Sequence, residues 1–221
     1  MANLIFDYDG TLHNSMKVYE PSFRKAYQWL VENNYAEEKD FSFDEISYWL
    51  GFNAADMWKK FQPNLDTKIT EKARKILGDC MDGLVKSGEA ELFDGAEKIL
   101  TELKNQGHML IFLSNCRVRY MKTHSEAFGL ERFFDYFYCC EEYDFIPKYQ
   151  IFRIISLQHT GEYIVIGDRF HDMETAEKNG LKSIGCAYGY GNLEELKTAD
   201  IIVNSINEIP AAVRSLAEDI K

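Results

Sequence analysis

Short apolar runs alternate with amphipathic segments through most of the chain. Six of these runs have the length of β-strands, and most are almost continuously apolar. Continuous apolar strands are typical of a parallel sheet that is covered by helices on both faces. The predicted strands span residues 3–7, 109–114, 136–139, 163–167, 183–187 and 201–203.

Helical segments separate the later strands, and each stops at or close to a glycine. They span residues 94–106, 118–128, 148–159 and 173–179. The resulting βαβα alternation predicts an α/β fold, a doubly wound parallel sheet with a Rossmann-like core.

The connection that follows the first strand is too long for a simple βαβ crossover. About 80 residues separate the first strand from Asp94, whereas a crossover between parallel strands needs only about 12. Helical spacing over 18–33, a capping box formed by Ser42 and Glu45, and helical segments at 53–61 and 67–85 fill the gap. We therefore predict a core of residues 1–14 and 90–221 and an inserted α-helical domain of residues 15–89, called the helical insertion below.

Charge and composition narrow the function classes. The 221 residues include 36 acidic and 25 basic side chains, a net charge of −11, which disfavours binding to nucleic acid or to an anionic membrane. No apolar run approaches the roughly 20 residues of a membrane span, and no signal peptide precedes the first strand. We expect a cytoplasmic monomer whose five cysteines, an odd number without CxxC spacing, are reduced.

Acidic side chains follow two of the predicted strands. Asp7 and Asp9 come at the end of the first strand, where the alternation of an extended chain places both side chains on one face. Asp9-Gly10 is also a common hairpin dipeptide, but no returning strand follows it. Asp168 ends the fourth strand, and Asp172 comes four residues later, where either could instead cap the next helix.

Hydroxyl, amide and amino groups follow at other strand ends. Ser114 and Asn115 close the second strand, and Lys148 opens a helix after Pro147. Singly, the serine is typical of a helix cap and the lysine of a solvated surface. Arg117 and Arg119 are close enough in sequence to Ser114 to hold an anion, although solvated arginines on a helix face have the same pattern.

The shared position of these groups is more informative than any one of them. Open α/β sheets bind ligands at the carboxyl ends of their strands, and carboxylates gathered there repel one another unless a cation is present. All-oxygen ligands select Mg²⁺, which we expect on Asp7, the backbone carbonyl of Asp9, Asp168 and Asp172. Phosphoryl transfer would then use Asp7 as the nucleophile and Asp9 as the general acid and base. The groups expected to bind the phosphate are those of Thr11, Ser114, Asn115 and Lys148.

Asp7-Tyr-Asp-Gly-Thr, Ser114-Asn115, Lys148 and Gly167-Asp168 with Asp172 resemble, in this order, the four motifs of the haloacid dehalogenase superfamily. The insertion is similar to the α-helical cap of its phosphoglycolate phosphatase and β-phosphoglucomutase branch. The resemblance implies the same roles for these residues, and Asp9 favours phosphate over carbon–halogen chemistry. Lysine followed by proline is common in this branch, whereas Pro147 here precedes Lys148, so Lys122 is kept as an alternative.

The expected activity is Mg²⁺-dependent hydrolysis of a small phosphate monoester, as in phosphoglycolate phosphatase. A phosphomutase and an inorganic pyrophosphatase are alternatives with the same motifs. A phosphoaccepting switch of the receiver type is less compatible, because receivers carry the acceptor aspartate after a middle strand. In such enzymes the cap selects the substrate, and the candidates here are Tyr19, Arg24 and residues 51–53.

Overall fold

A computed structural model describes residues 1–218. Its strands are β1 (Asn3–Phe6), β2 (Met109–Ser114), β3 (Tyr136–Cys139), β4 (Tyr163–Gly167), β5 (Lys182–Cys186) and β6 (Ile201–Val203). Its α-helices are α1 (Met16–Glu32), α2 (Phe43–Ser47), α3 (Ala54–Phe61), α4 (Thr67–Lys86), α5 (Ala96–Asn105), α6 (Val118–Phe128), α7 (Lys148–Gln158), α8 (Phe170–Asn179) and α9 (Ile209–Glu218).

The six strands form one parallel sheet in the order β3-β2-β1-β4-β5-β6. This confirms the predicted α/β class and all six strands, with ends displaced by at most one residue. β1 lies between β2 and β4, and all four of its residues are buried. The direction of strand order reverses at β1, so a ligand-binding crevice is expected beside its carboxyl end.

Helices cover both faces of the sheet. Leu4 and Phe6 of β1 belong to one hydrophobic cluster with α5 and α9, whereas Ile5 belongs to a second cluster with Ile151 and Ile155 of α7. This alternation follows from the two-residue period of a strand. Within residues 1–218, no helix combines the length and the apolar character that a bilayer span would need.

The helices α1 to α4 follow β1 and precede β2, as the long first connection predicted. They surround a hydrophobic cluster whose buried members lie between Met16 and Val85, with Phe23, Tyr27 and Phe41 in mutual ring contact. The capping box of Ser42 and Glu45 is present at α2. The exact limits of the helical insertion, residues 15 and 89, stay a prediction.

One helix begins earlier than its hydrophobic pattern indicated. We predicted residues 173–179, but α8 begins at Phe170. The carboxylate of Asp172 accepts a hydrogen bond from the backbone N–H of Arg169 at 3.2 Å, and so caps the first turn. Asp172 therefore has the capping role considered for it and also faces the site described next.

Candidate active site

Three neighbouring strands bring the predicted site residues to one edge of the sheet. Asp7 directly follows β1, Ser114 ends β2 and Asp168 directly follows β4. Because β2, β1 and β4 are adjacent and parallel, their carboxyl ends meet. All three side chains are buried.

A carboxylate cluster lies at this edge. Asp7, Asp168 and Asp172 each offer an oxygen within 4.8 Å of the others. The ammonium group of Lys148, at the first position of α7, donates to Asp7 Oδ1 at 2.6 Å and to Asp172 Oδ1 at 2.7 Å. Lys148 is itself buried, so the lysine of the third predicted motif directly contacts two of its acids. Lys122 is exposed on α6.

Burial and mutual repulsion shift the ionisation of these groups. Burial, and then the carboxylate of Asp172, raise the pKa of Asp7 well above its usual value. Burial and Asp172 likewise raise the pKa of Asp168 to about 7. Burial acts to lower the pKa of Lys148, but the carboxylates of Asp172 and Asp7 outweigh it and raise that pKa. When all three are ionised, these carboxylates carry more negative charge than one lysine neutralises.

Backbone geometry leaves little space around Asp168. Its Oδ2 accepts from the backbone N–H of Tyr190 at 2.7 Å, and its Oδ1 lies 3.4 Å from the hydroxyl of Thr11. Gly10 has a φ of +81°, and a Cβ atom there would overlap the Asp168 carboxylate. Thr11 is fully buried, so its hydroxyl, which we expected to bind phosphate, is directed at Asp168 in this structure.

Asp9 is held by three donors on a single oxygen. Its Oδ1 lies 2.5 Å from the hydroxyl of Tyr120, 2.6 Å from that of Ser15 and 3.2 Å from Nδ1 of His13. Burial acts to raise the pKa of Asp9, but these bonds and the nearby imidazole of His13 outweigh it and lower the pKa below its usual value. None of these three bonds engages the other carboxylate oxygen, Oδ2.

Aromatic and imidazole rings pack behind Asp9. The ring of His13 stacks on Tyr8 at 5.1 Å and meets His124 edge-on at 4.6 Å, while the Tyr8 hydroxyl bonds to Nδ1 of His124 at 2.9 Å. Burial lowers the pKa of His124 to about 3. None of these residues was predicted to belong to the site. Only the position of His13 and Ser15, just beyond the first motif, was a signal for them.

A cavity of about 650 Å³ opens between this edge and the helical insertion. Asp7, Asp9, Ser114 and Asn115 line its inner end. The helical insertion forms the opposite wall, where charged side chains of α4 lie beside apolar ones. The apolar members include Tyr19, Trp49, Phe52, Met57 and Trp58.

Two residues of the core hold the insertion beside this cavity. Asn115 donates to the backbone carbonyl of Gly51 at 2.7 Å. Arg169, which is 2% exposed, donates to the carbonyls of Tyr48 and Leu50 and forms an ion pair with Glu195 at 2.8 Å. No role was predicted for Arg169 from the sequence, because its position in a turn after β4 is not distinctive.

The candidate selectivity residues separate into two groups. Tyr19, Gly51 and Phe52 line the cavity. Arg24 lies outside it and bonds Glu20 and Asp40, and Asn53 caps α3 by accepting from the N–H groups of Ala55 and Asp56. Arg24 and Asn53 therefore have structural roles that do not require a ligand.

The cysteines and arginines around Ser114 have defined surroundings. All five cysteines are free thiols, as expected. Cys140 donates to Asn115 Oδ1 at 2.7 Å, which fixes the orientation of that amide. Arg117 and Arg119 both line the cavity, and Arg119 bonds Asp79 at 3.0 Å and also pairs with Asp82.

The donor set of the carboxylate cluster fits a hard divalent cation. The three acids supply only oxygen atoms, and the excess negative charge described above is what such an ion would neutralise. Neither histidine nor cysteine takes part in this group of ligands, so the chemistry of the set favours Mg²⁺ over zinc.

Comparison with known proteins agrees with the fold and the motifs. A model of the family described as haloacid dehalogenase-like hydrolase matches residues 4–186. The chain belongs to this family. The match extends from β1 to β5, and so includes every element that contributes to the carboxylate cluster and the helical insertion between them.

Similar proteins extend over almost the whole length of this haloacid dehalogenase-like hydrolase. A 5'-nucleotidase of Pseudomonas aeruginosa is 27% identical over 88% of this chain and 86% of its own. A phosphoglycolate phosphatase of Pectobacterium atrosepticum is 24% identical over 95% and 91%. The crystal structure of a predicted phosphatase from Clostridium acetobutylicum superposes with a TM-score of 0.79, at 26% identity, over 97% of this chain and 98% of that one.

Proposed function

We propose that this hydrolase is a Mg²⁺-dependent phosphatase that cleaves small phosphate monoesters through an aspartyl phosphate on Asp7. The observation that carries the proposal is the contact of buried Lys148 with both Asp7 and Asp172 beside a third acid, Asp168. Of these residues, Asp7 lines the inner end of the cavity. The phosphatases among the similar proteins support it.

The site residues divide the two steps between them. A carboxylate oxygen of Asp7 attacks phosphorus, the bond from phosphorus to the ester oxygen breaks, and Asp9 gives its proton to the departing alcohol. Asp9 then takes a proton from water, the water oxygen bonds to phosphorus, and the bond from phosphorus to Asp7 breaks. Inorganic phosphate leaves, and Asp7 is regenerated.

The remaining groups bind and orient the phosphate. Lys148 and the hydroxyl of Ser114 supply positive charge and a hydrogen bond near Asp7, and the amide of Asn115 supports the cavity wall through Gly51. Asp7, the backbone carbonyl of Asp9, Asp168 and Asp172 would hold Mg²⁺. When bound, the ion neutralises charge on the phosphate oxygens.

We further propose that residues 15–89 act as a cap over a core of residues 1–14 and 90–221. The insertion has its own hydrophobic cluster, and its loop near Gly51 bonds Asn115 and Arg169 of the core. Closure of such a cap would exclude water from the site. We also propose that the protein acts as a cytoplasmic monomer on a small phosphate ester.

The test is phosphate release from a panel of monoesters and from pyrophosphate, with Mg²⁺ and with a chelator. Wild type should release phosphate only with the metal, and Asp7→Asn should abolish release. Arg24→Gln, outside the cavity, is the matched control and should stay active. Product analysis with a hexose 1-phosphate separates hydrolysis from mutase chemistry. Absence of release across the panel would contradict the proposal.

A further inference from the structure

Backbone carbonyls of the loop between α2 and α3 join the helical insertion to the core. The guanidinium group of Arg169 donates to the carbonyls of Tyr48 and Leu50. The same loop contributes Gly51 and Phe52 to the wall of the cavity. The side chain of Arg169 therefore fixes the position of a part of that wall.

The guanidinium group of Arg169 has a complete and buried set of partners. Glu195, in the loop after β5, neutralises its charge, and Oε2 of Glu195 lies 2.8 Å from its Nε. The same oxygen accepts from the backbone N–H of Phe170 at 3.1 Å. The rings of Tyr48, Phe52 and Phe170 surround the guanidinium carbon with centroids 5.6 to 6.0 Å away. A planar donor held on several sides has one defined position.

The backbone of Arg169 belongs to the carboxylate cluster. Asp168 immediately precedes it in the chain, and its N–H donates to Asp172 Oδ2 at 3.2 Å. These two acids are among the three that offer oxygen atoms to a cation. A displacement of Arg169 would therefore move both acids relative to Asp7, the third member of the cluster.

We propose that Arg169 is a positioning residue that couples the loop of residues 48–52 to the carboxylate cluster, so that docking of this loop and binding of Mg²⁺ stabilise each other. The inference rests on the Mg²⁺ site of the proposed function and assigns a role to a residue that the mechanism does not use. Coupling of this kind is reciprocal. A loop held away from Arg169 weakens Mg²⁺ binding, and bound Mg²⁺ holds the loop more firmly.

Charge and positioning predict opposite changes in the Mg²⁺ affinity of Arg169→Gln. The substitution removes a positive charge next to Asp168, and the loss of charge by itself would make binding of a cation tighter. Positioning predicts weaker binding, because the backbone between Asp168 and Asp172 loses the side chain that holds it against the loop. The sign of the change therefore separates the two effects.

Calorimetric titration with Mg²⁺, in the absence of substrate, is the first measurement. Arg169→Gln should bind Mg²⁺ about 5-fold to 30-fold more weakly than wild type. Gly51→Ala perturbs the same contact from the insertion without changing any charge, because Gly51 has a φ of +86° and a Cβ atom there would lie 2.9 Å from Cγ of Arg169. It should also weaken Mg²⁺ binding. The double variant should bind no more weakly than the weaker single variant, since both substitutions break one contact.

Hydrogen exchange measures the coupling in the reverse direction. Mg²⁺ should slow amide exchange in residues 48–52 of wild type, and it should have little effect there in Arg169→Gln. The amides of α9, which packs against α5, β5 and β6, are the internal reference. A purely structural role of Arg169 would change the exchange of this loop equally with and without Mg²⁺.

Arg119→Gln is the matched control. Arg119 also joins the core to the insertion, through Asp79 and Asp82, but its backbone lies in α6 and carries none of the three acids. This variant should keep the wild-type Mg²⁺ affinity. An equal loss of affinity in Arg119→Gln would mean that any loosening of the insertion weakens the site, and would overturn the role of Arg169.

The remaining outcomes separate this inference from the proposed function. Unchanged or tighter Mg²⁺ binding by Arg169→Gln would overturn the coupling and leave the phosphatase intact. If that variant does not fold, unchanged binding by Gly51→Ala would overturn it. Wild type that binds Mg²⁺ but releases no phosphate would contradict the proposed function alone, whereas wild type that binds no Mg²⁺ would contradict both.

Discussion

The bond from Tyr120 to Asp9 is expected to position the proton donor for the leaving group. Tyr120→Phe removes the shortest of the three hydrogen bonds to Asp9 Oδ1, at 2.5 Å, and leaves those of Ser15 and His13. A hydrogen bond to a charged group contributes about 1.5–3 kcal/mol. If that contribution is lost from the transition state, the rate falls about 10-fold to 100-fold.

The assay compares kcat/KM for an alkyl phosphate and for p-nitrophenyl phosphate. Alkoxide needs a proton as it leaves, whereas nitrophenolate does not, so only the first substrate depends strongly on Asp9 as an acid. We expect Tyr120→Phe to lose about 10-fold to 100-fold on the alkyl ester and much less on the aryl ester. The pKa of Asp9, now held down partly by Tyr120, should also rise.

The rise in the pKa of Asp9 gives a second measurement, the pH dependence of the rate, for which the direction of the change is predicted. A general acid is active while protonated, so a higher pKa moves the decline of alkyl phosphate hydrolysis to higher pH. Tyr8→Phe, which removes a buried hydroxyl bonded to His124 and not to Asp9, should change both substrates by the same factor. Equal losses on both substrates in Tyr120→Phe, with no movement of the pH profile, would refute the positioning role.

Three further predictions concern the buried charges. Lys148→Met leaves Asp7 and Asp172 without their cation and should lower the metal-free unfolding free energy by about 3–5 kcal/mol. Denaturant titration measures this, and a loss that Mg²⁺ does not reduce would argue against metal binding there. Asp168→Asn removes a carboxyl group whose pKa is about 7, and so should stabilise the metal-free protein above pH 7 by at most about 4 kcal/mol while weakening Mg²⁺ binding in calorimetry. Unchanged Mg²⁺ affinity would contradict its role as a ligand. His124 has a pKa of about 3 when folded and about 6.5 when unfolded, so stability should fall as pH decreases from 6.5 towards 3, by about 2 kcal/mol at pH 5. Unfolding measured against pH should be less steep in His124→Gln, and an identical slope would refute this.

The strands, and the polar site residues that follow them, could be predicted from the sequence because both depend on local sequence pattern. A parallel sheet requires continuous apolar strands, and its carboxyl edge collects whatever polar side chains follow them. Asp7, Ser114 and Asp168 were located in this way. Helix ends were less accessible, since α8 begins at Phe170 through a cap that Asp172 supplies from inside the helix.

The partners of Asp9 and the contact between insertion and core were not accessible. Tyr120 is 111 residues from Asp9, and its hydroxyl reaches that carboxylate only because α6 packs against the loop after β1. Arg169 is buried because Glu195 and two carbonyls of the insertion surround it. The periodicity of the sequence does not predict these long-range contacts, because they depend on how segments far apart in the chain pack together in three dimensions.

The central position of β1 has a consequence for biosynthesis. The buried members of the insertion's hydrophobic cluster all lie between Met16 and Val85, so this part can collapse soon after it leaves the ribosome. β1 cannot complete its pairing until β4 has been synthesised, because Asn3 pairs with Tyr163. The helices that follow Asp7 can therefore fold before β1, the strand that immediately precedes Asp7, is paired within the sheet. Protease resistance of the insertion should precede the appearance of activity in a timed translation reaction.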